Sequence, residues 1–195
     1  MIGDGSPGSW CEIHLDRVAA NLDLARALVP PGRQFCAVMK ADAYGHGIAQ
    51  VLPLLRDRGV ETIGITSNEE AQTVRTAGFD GRILRMRAAT PAEIEAATEF
   101  GVEEQVASCL IARKLVALRD AGHEVRAHLA LNAMGMSRDG LEIATDEGRE
   151  AARAILDLLG RDIVGICTHF PSNSPDDLRQ SDAEFQRQVD WVLAN

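Results

Sequence analysis

A lysine and a tyrosine four residues apart, Lys40 and Tyr44 in the segment AVMKADAYGHG, carry the clearest chemistry in this 195-residue chain. Tyr44 is the only tyrosine, and Lys40 is one of two lysines among 20 lysine and arginine residues. Lys40 lies where an apolar run, residues 35–39, meets a glycine turn, residues 45–47. A desolvated lysine can lose its proton and form an imine with an aldehyde, which the guanidinium of arginine does not do. The placement therefore indicates a nucleophilic amine.

An alternation of strands and helices must position these residues. Short β-branched runs alternate with helical patterns, which is typical of βα units around a parallel sheet. Residues 90–93 combine an N-cap, a first-turn proline and a capping-box glutamate, and residues 67–70 repeat the box. Gly122 and Gly160 fit positions that end helices, and a helix over residues 16–28 precedes the repeat. The predicted strands are residues 35–39, 62–66, 82–86, 104–107, 125–131 and 163–168.

The number of βα units limits the possible architectures. A (β/α)8 TIM barrel needs eight strands and about 250 residues, whereas an open doubly wound sheet normally reverses its strand order midway. A six-stranded partial barrel leaves two unpaired edges. We therefore expect an α/β fold of the TIM-barrel type with about six of its eight units present, as the amino-terminal part of a longer enzyme.

Composition and charge exclude several classes of function. With 46% hydrophobic residues and no apolar run near the roughly 20 residues of a membrane span, the chain is expected to form one soluble domain. A formal net charge of −9 argues against nucleic-acid binding. No secretion signal is visible, so a cytoplasmic location is expected, or a periplasmic one if a leader has been removed. No metal site is expected, because no C-x-x-C pair occurs among Cys11, Cys36, Cys109 and Cys167.

The polar candidates concentrate at the carboxyl ends of the predicted strands, where active sites of βα barrels lie. They are Lys40 and Tyr44 after the first strand, Arg85 and Arg87 at the third, Asn132 and Arg138 after the fifth, and His169 after the sixth.

Each of these residues also has a simpler interpretation. Arg85 and Arg87 alternate along a strand, so they share a face that could bind chloride or a substrate carboxylate. A structural ion pair or a solvated edge explains the two arginines equally well. His169 could be a core histidine, Arg138 an ordinary loop arginine, and Asn132 a residue that only shapes a turn.

Three motifs resemble those of alanine racemases. AVMKADAYGHG resembles the family's pyridoxal-phosphate lysine motif, and LNAMGMSRDG and ICTHF are similar to its later barrel motifs. The resemblance begins at Trp10 and covers nearly the whole chain. Two details, the arginine pair in ILRMRAATPAEIE and the combination of Asn132 with Ser137, resemble the broad-specificity amino-acid racemase branch.

The resemblance implies a fold-type III enzyme and a role for each candidate. Lys40 would hold pyridoxal 5′-phosphate covalently and act as base or acid on one face of the substrate Cα. Tyr44 would bind the cofactor phosphate. Arg138 would lie beside the pyridine ring and its phenolic oxygen, and His169 would belong to a hydrogen-bond relay beneath the ring.

The resemblance also implies parts that this chain lacks. Racemisation needs a base on each face of Cα, and the family's second base is a tyrosine from the carboxyl-terminal β-domain of a partner subunit. Because Tyr44 is the only tyrosine, the chain is expected to be inactive alone and to act within a homodimer. Residues 1–15 are expected to contain a first strand and to pack on the missing β-domain, while residues 16–195 form the partial barrel.

Two departures from the branch pattern stand out. The branch often pairs a cysteine at the position of Cys36 with one entering the next strand, where this chain has Thr62, so that bridge cannot form. Asp139 stands where the branch commonly has asparagine. Its charge could favour substrates with cationic side chains, such as lysine or arginine, or it could simply lie on the loop surface.

Two functions from different classes therefore stay open. One is an amino-acid racemase, alanine-specific or of broad specificity, of which this is a fragment. The other is a non-catalytic pyridoxal-phosphate carrier of the small-barrel type. The chain's size favours the carrier, whereas the sequence around Lys40 favours the racemase. A folded remnant that binds nothing is a third possibility.

Overall fold

The architecture is a curled half-barrel of six parallel strands, seen in a computed structural model that describes residues 9–134, 136 and 138–195. Neighbouring strands follow one another in sequence order with no reversal, which confirms the predicted partial barrel and excludes a doubly wound sheet. The strands are β1 Cys36–Val38, β2 Thr62–Ile65, β3 Arg82–Arg85, β4 Val102–Val106, β5 Ala127–Leu131 and β6 Ile163–Thr168.

Helices alternate with these strands as predicted. Both capping boxes are confirmed, because Ser67 and Thr90 each accept a hydrogen bond from the backbone of a glutamate three residues later. The helical segments are α1 Leu15–Ala27, α2 Lys40–Tyr44, α3 Ile48–Asp57, α4 Asn68–Thr76, α5 Pro91–Ala96, α6 Cys109–Asp120, α7 Asp146–Leu159 and α8 Pro175–Leu193. None of the helices in the described part of the chain is long and apolar enough to cross a membrane.

The apolar core lies between the sheet and its helices. On the strands, Ile63, Ile83, Val106 and Leu129 are fully buried, and they belong to two clusters completed by side chains of α3, α4, α6 and α7. Truncating one such side chain to alanine typically costs about 2–5 kcal/mol of stability. This packing fixes the carboxyl ends of the strands, where the candidate residues lie.

A charged cluster occupies the opposite face of β3, β4 and β5. The carboxylate of Glu103 accepts hydrogen bonds from Arg82, Arg126 and His128, with donor–acceptor distances of 2.7–2.9 Å. These partners lower the pKa of Glu103 against the opposing effect of its burial. Gly165 faces His128 so closely that a Cβ would lie 2.5 Å from the imidazole Nδ1, so glycine makes room for this ring.

The structure corrects the predicted starts of two strands. The fifth strand begins at Ala127, two residues after the predicted start at residue 125. The fourth strand begins at Val102, two residues before the prediction, because Gly101 reverses the chain in a left-handed conformation and the following glutamates are held by arginines. In the described part of the amino-terminal segment, residues 9–14 form no strand and Trp10 is 79% exposed, and the packing of residues 1–15 on a β-domain stays a prediction. No described segment offers these residues a backbone ladder, and residues 1–8 lie outside the described part.

Candidate active site

Lys40 lies two residues after the last residue of β1, at the carboxyl end of the sheet. The strand is extended by one bond, in which the Met39 amide donates to the Gly64 carbonyl at 2.7 Å. The Lys40 ammonium lies 5.7 Å from the centre of the Tyr44 ring, and no carboxylate in the described residues pairs with it. Lys114, by contrast, is bound to Glu95 at 2.7 Å. Within the part of the chain that the structure describes, the amine of Lys40 therefore has no carboxylate partner, whereas that of Lys114 has one.

The backbone after Lys40 forms a left-handed helical turn. The φ angles of Ala41, Asp42, Ala43 and Tyr44 are 52°, 53°, 55° and 54°. L-residues avoid this conformation at a cost of about 1–2 kcal/mol each, so the turn persists only where surrounding bonds over-determine it. Such stored strain is typical of functional sites.

Hydrogen bonds on both sides hold this turn. The Asp42 carboxylate accepts from the Ile48 amide at 2.7 Å, and the Asp42 carbonyl accepts from the Gly47 amide at 2.9 Å. On the other side, the Ala41 amide donates to the Glu70 carboxylate at 2.6 Å. The turn is therefore bound at one end to the start of α3 and at the other to the start of α4.

Arg85 is buried in an ion pair rather than facing an open anion site. Its guanidinium donates to both oxygens of Glu104, at 2.7 and 3.0 Å, and to Asn68 at 2.7 Å. Burial raises the pKa of Glu104, and the bonds from Arg85 oppose that rise. Nη1 of Arg85 is buried and has no hydrogen-bond partner among the described residues.

Arg87 also has a carboxylate partner. It donates to Glu93 at 2.5 and 3.3 Å, and the pair is about one-third exposed. The hydrogen bonds from Arg87, together with one from the Thr90 backbone, lower the pKa of Glu93 to about 2. For both arginines the structure therefore supports the ion-pair interpretation, and only Nη1 of Arg85 offers a buried, unused donor to an anion.

The segment after β5 is fixed at its base by close backbone contacts. The Asn132 amide donates to the Leu141 carbonyl at 2.9 Å, and the side-chain nitrogen of Asn132 donates to Glu142 at 2.8 Å. Gly140, with φ of +105°, approaches Leu131 so closely that a Cβ would lie 2.4 Å from its carbonyl carbon. Asn132 thus shapes this loop, whereas Ser137 lies outside the described residues.

Arg138 and His169 border one small cleft at the carboxyl ends of β5 and β6. The cleft has a volume of ≈ 80 Å³ and is also bordered by Asp139 and Cys167. Arg138 lies 3.9 Å from the Asp139 carboxylate. Burial, with a smaller effect of Asp139, raises the pKa of the Cys167 thiol to about 12, so this thiol stays protonated. His169 is exposed and has no hydrogen-bond partner among the described residues.

The sequence over residues 13–194 matches the family model of the alanine racemase amino-terminal domain. The chain belongs to this family. A broad-specificity amino-acid racemase of Aeromonas hydrophila subsp. hydrophila is 41% identical over 187 residues, which cover 95% of this chain and 46% of that protein. A lysine racemase of Proteus mirabilis is 38% identical over 186 residues, with the same two coverages.

A solved structure agrees with the alanine racemase assignment. The alanine racemase of Clostridium difficile 630 superposes with a TM-score of 0.85 at 25% identity, over 96% of this chain and 52% of that one. The chain spans about half the length of the curated relatives it matches. The predicted family, its broad-specificity branch and the partial barrel are confirmed.

Two features of this racemase-family barrel were not predicted from the sequence. One is the left-handed turn, for which Ala41, Ala43 and Tyr44 give no signal because these residue types rarely adopt positive φ. The other is the contact of Glu70 with that turn. The capping box marked Glu70 as a helix-capping residue, and only the fold shows that the same carboxylate also reaches the residue after Lys40.

Proposed function

We propose that this chain is the cofactor-binding barrel of a pyridoxal-phosphate-dependent amino-acid racemase, which interconverts L- and D-amino acids. The supporting observation is the amine of Lys40, which has no carboxylate partner in the described chain and immediately precedes a strained turn at the carboxyl end of β1. The relatives at 38–41% identity named above are racemases, which favours this function over a non-catalytic cofactor carrier.

The described residues have the donor chemistry that pyridoxal phosphate requires. Lys40 supplies the amine for covalent attachment, and Tyr44 stands beside it with an exposed hydroxyl-bearing ring for the phosphate. Arg138 and His169 border one cleft, where a cation and an imidazole can bind the pyridine ring. When bound, pyridoxal phosphate withdraws electrons from the substrate Cα, so that its proton can leave.

Lys40 is the proposed base and acid on one face of the substrate. As a neutral amine it takes the Cα proton, and as an ammonium it returns one. The second face needs another group, and Tyr44, the only tyrosine of this chain, is already assigned to the phosphate. The second base is therefore proposed to come from a β-domain of the partner subunit in a homodimer. The exposed Trp10 segment suits a contact with that domain.

The substrate class is proposed from the charges around the cleft. Asp139 borders the same cleft as Arg138, and its carboxylate would attract the ammonium or guanidinium of a lysine or arginine substrate. The unused Nη1 of Arg85 is a donor for a small anion such as chloride. Asn132 is proposed only to shape the loop that carries Arg138.

Incubation with pyridoxal phosphate tests the cofactor assignment. The unaltered chain and Lys114→Ala should develop the same absorbance band of a lysine-bound cofactor, and Lys40→Ala should lack it. An equal band in Lys40→Ala would mean nonspecific labelling.

The optical rotation of L-alanine, L-lysine and L-arginine tests the proposed need for a partner subunit. The 195-residue chain alone should leave this rotation unchanged. Rapid racemisation by this chain would contradict the proposed need for a partner.

A further inference from the structure

We propose that Glu70 is a positioning residue that holds the turn of Lys40 in the orientation the cofactor requires, an inference that rests on the proposed role of Lys40. Oε1 of Glu70 accepts the amide proton of Ala41 at 2.6 Å. Oε2 accepts from the amides of Thr66 at 2.6 Å and Ser67 at 3.1 Å. One side chain thus joins the residue after Lys40 to the carboxyl end of the neighbouring strand.

Only a carboxylate satisfies this arrangement. The three amides and the Thr66 hydroxyl, 3.2 Å away, are all donors, and a carboxylate offers two accepting oxygens and no donor. A glutamine of the same shape has one accepting oxygen, so its amino group would face either Ala41 or Thr66 and Ser67. Hydrogen bonds to an ionised acceptor are also about twice as strong as neutral ones.

The position of Glu70 is itself fixed from the core side. The capping bond contributes little to this, because the Glu70 amide donates to the Ser67 hydroxyl over 3.3 Å, longer than the usual distance of about 2.9–3.0 Å. Asn68, in the same turn of α4, accepts from Arg85 at 2.7 Å and donates to the Glu93 carbonyl at 3.0 Å. The first turn of α4 is therefore held by buried groups of β3 and by the start of α5, which makes it a rigid support.

The turn of Lys40 needs such a support. Ala41 is the first of four successive left-handed residues, and its amide bond to Glu70 fixes the backbone immediately after Lys40. Without that bond the strained turn can relax towards right-handed conformations, and the direction of the Lys40 side chain then spreads over several rotamers. Attachment of the cofactor would weaken because fewer molecules present the amine correctly.

Three variants separate this positioning role from helix capping. Glu70→Gln removes one accepting oxygen. Ser67→Ala removes the other half of the same capping box and leaves the Ala41 bond intact. Glu93→Gln removes the equivalent glutamate of the second capping box, which contacts no residue of the Lys40 turn in the described chain. Two quantities are measured on the 195-residue chain: the amide hydrogen-exchange rate of Ala41, and the association constant for pyridoxal phosphate at Lys40, from reductive trapping and peptide mapping.

Glu70→Gln is expected to accelerate amide hydrogen exchange at Ala41 and to lower the association constant for pyridoxal phosphate about tenfold, equivalent to about 1.4 kcal/mol. The control variants Ser67→Ala and Glu93→Gln are expected to change neither quantity by more than about twofold. Equal effects of Glu70→Gln and Ser67→Ala would overturn the inference, since capping alone would then explain them. Unchanged exchange at Ala41 in Glu70→Gln would also overturn it. If the unaltered chain forms no adduct at Lys40, the proposed function fails, and the exchange rate of Ala41 alone decides whether Glu70 holds the turn.

Discussion

Arg85 and Glu104 form a buried ion pair with two hydrogen bonds across β3 and β4. Nε of Arg85 donates to Oε2 at 2.7 Å and Nη2 donates to Oε1 at 3.0 Å, with the two side chains 0% and 4% exposed. A buried pair of this kind resists removal of either partner, because the remaining charge is left without compensation. The same guanidinium binds Asn68, so the pair also secures the start of α4.

We therefore predict that Glu104→Leu lowers the free energy of unfolding by about 3–5 kcal/mol. The double variant Arg85→Met with Glu104→Leu should lose much less, since no charge is stranded. Urea denaturation of the chain and both variants measures the difference. A double variant as unstable as the single one would show that packing, rather than the stranded guanidinium, determines the loss.

Gly140 should not tolerate a side chain. Its φ of +105° is unfavourable for alanine, and a Cβ would also lie 2.4 Å from the carbonyl carbon of Leu131. Gly140→Ala is therefore expected to displace the loop that carries Arg138 and to weaken cofactor binding. Fluorescence titration with pyridoxal phosphate measures that loss.

Gly122→Ala is the matched control for the close contact at Gly140. Gly122 has a φ of +93°, and no described atom lies within 4 Å of the position that a Cβ would take, so its replacement should cost only the left-handed strain of about 1–2 kcal/mol. It should leave the affinity for pyridoxal phosphate unchanged. If Gly140→Ala and Gly122→Ala lower the affinity for pyridoxal phosphate equally, left-handed strain rather than the contact with Leu131 determines the effect at Gly140.

Glu93 should stabilise the fold in a pH-dependent way. Its bonds to Arg87 and Thr90 lower its pKa from 4.5 to about 2. Because the folded-state pKa lies below the unfolded one, the stabilisation is fully present above pH 4.5 and is lost as the pH falls towards 2. The difference in melting temperature between the unaltered chain and Glu93→Gln should shrink over this interval. A difference in melting temperature that stays constant from pH 4.5 down to pH 2 would contradict the lowered pKa of Glu93.

Asp139 should influence substrate preference in an enzyme that contains this barrel together with its carboxyl-terminal domain. Asp139→Asn removes the negative charge at the cleft, so the ratio of lysine to alanine racemisation rates is expected to fall several-fold, with a larger effect on KM for lysine than on kcat. Chiral chromatography of the products measures both rates. An unchanged ratio would place Asp139 outside substrate recognition.

Much of the fold was predictable because local signals and topology agree. Capping boxes, glycine stops and β-branched runs marked the elements, and the strand order follows from a partial barrel in which successive βα units lie side by side. A strand within residues 1–15 stays a prediction, because a strand is stable only beside a partner and the described chain provides none for residues 9–14. The start of β4 was missed because Glu103 and Glu104 are charged, and their ion pairs with arginines cannot be predicted from the sequence.

The candidate site was only partly predictable for a related reason. Lys40 could be singled out by its residue type and its position between an apolar run and glycines. The partners of Arg85 and Arg87 could not, because Glu104 and Glu93 are brought to them by the fold. The left-handed turn is held by a hydrogen bond between Ala41 and Glu70, which are 29 residues apart in sequence. No local sequence pattern could therefore predict this contact.

The attachment site of pyridoxal phosphate tests the central claim most directly. The chain is incubated with the cofactor, reduced with borohydride and digested, and the modified lysine is identified by mass spectrometry. The chain has two lysines, so Lys114, bound to Glu95, is an internal control. The account predicts stoichiometric modification of Lys40 and little of Lys114. Modification at Lys114 alone, equal modification of both lysines, or none at either would contradict it.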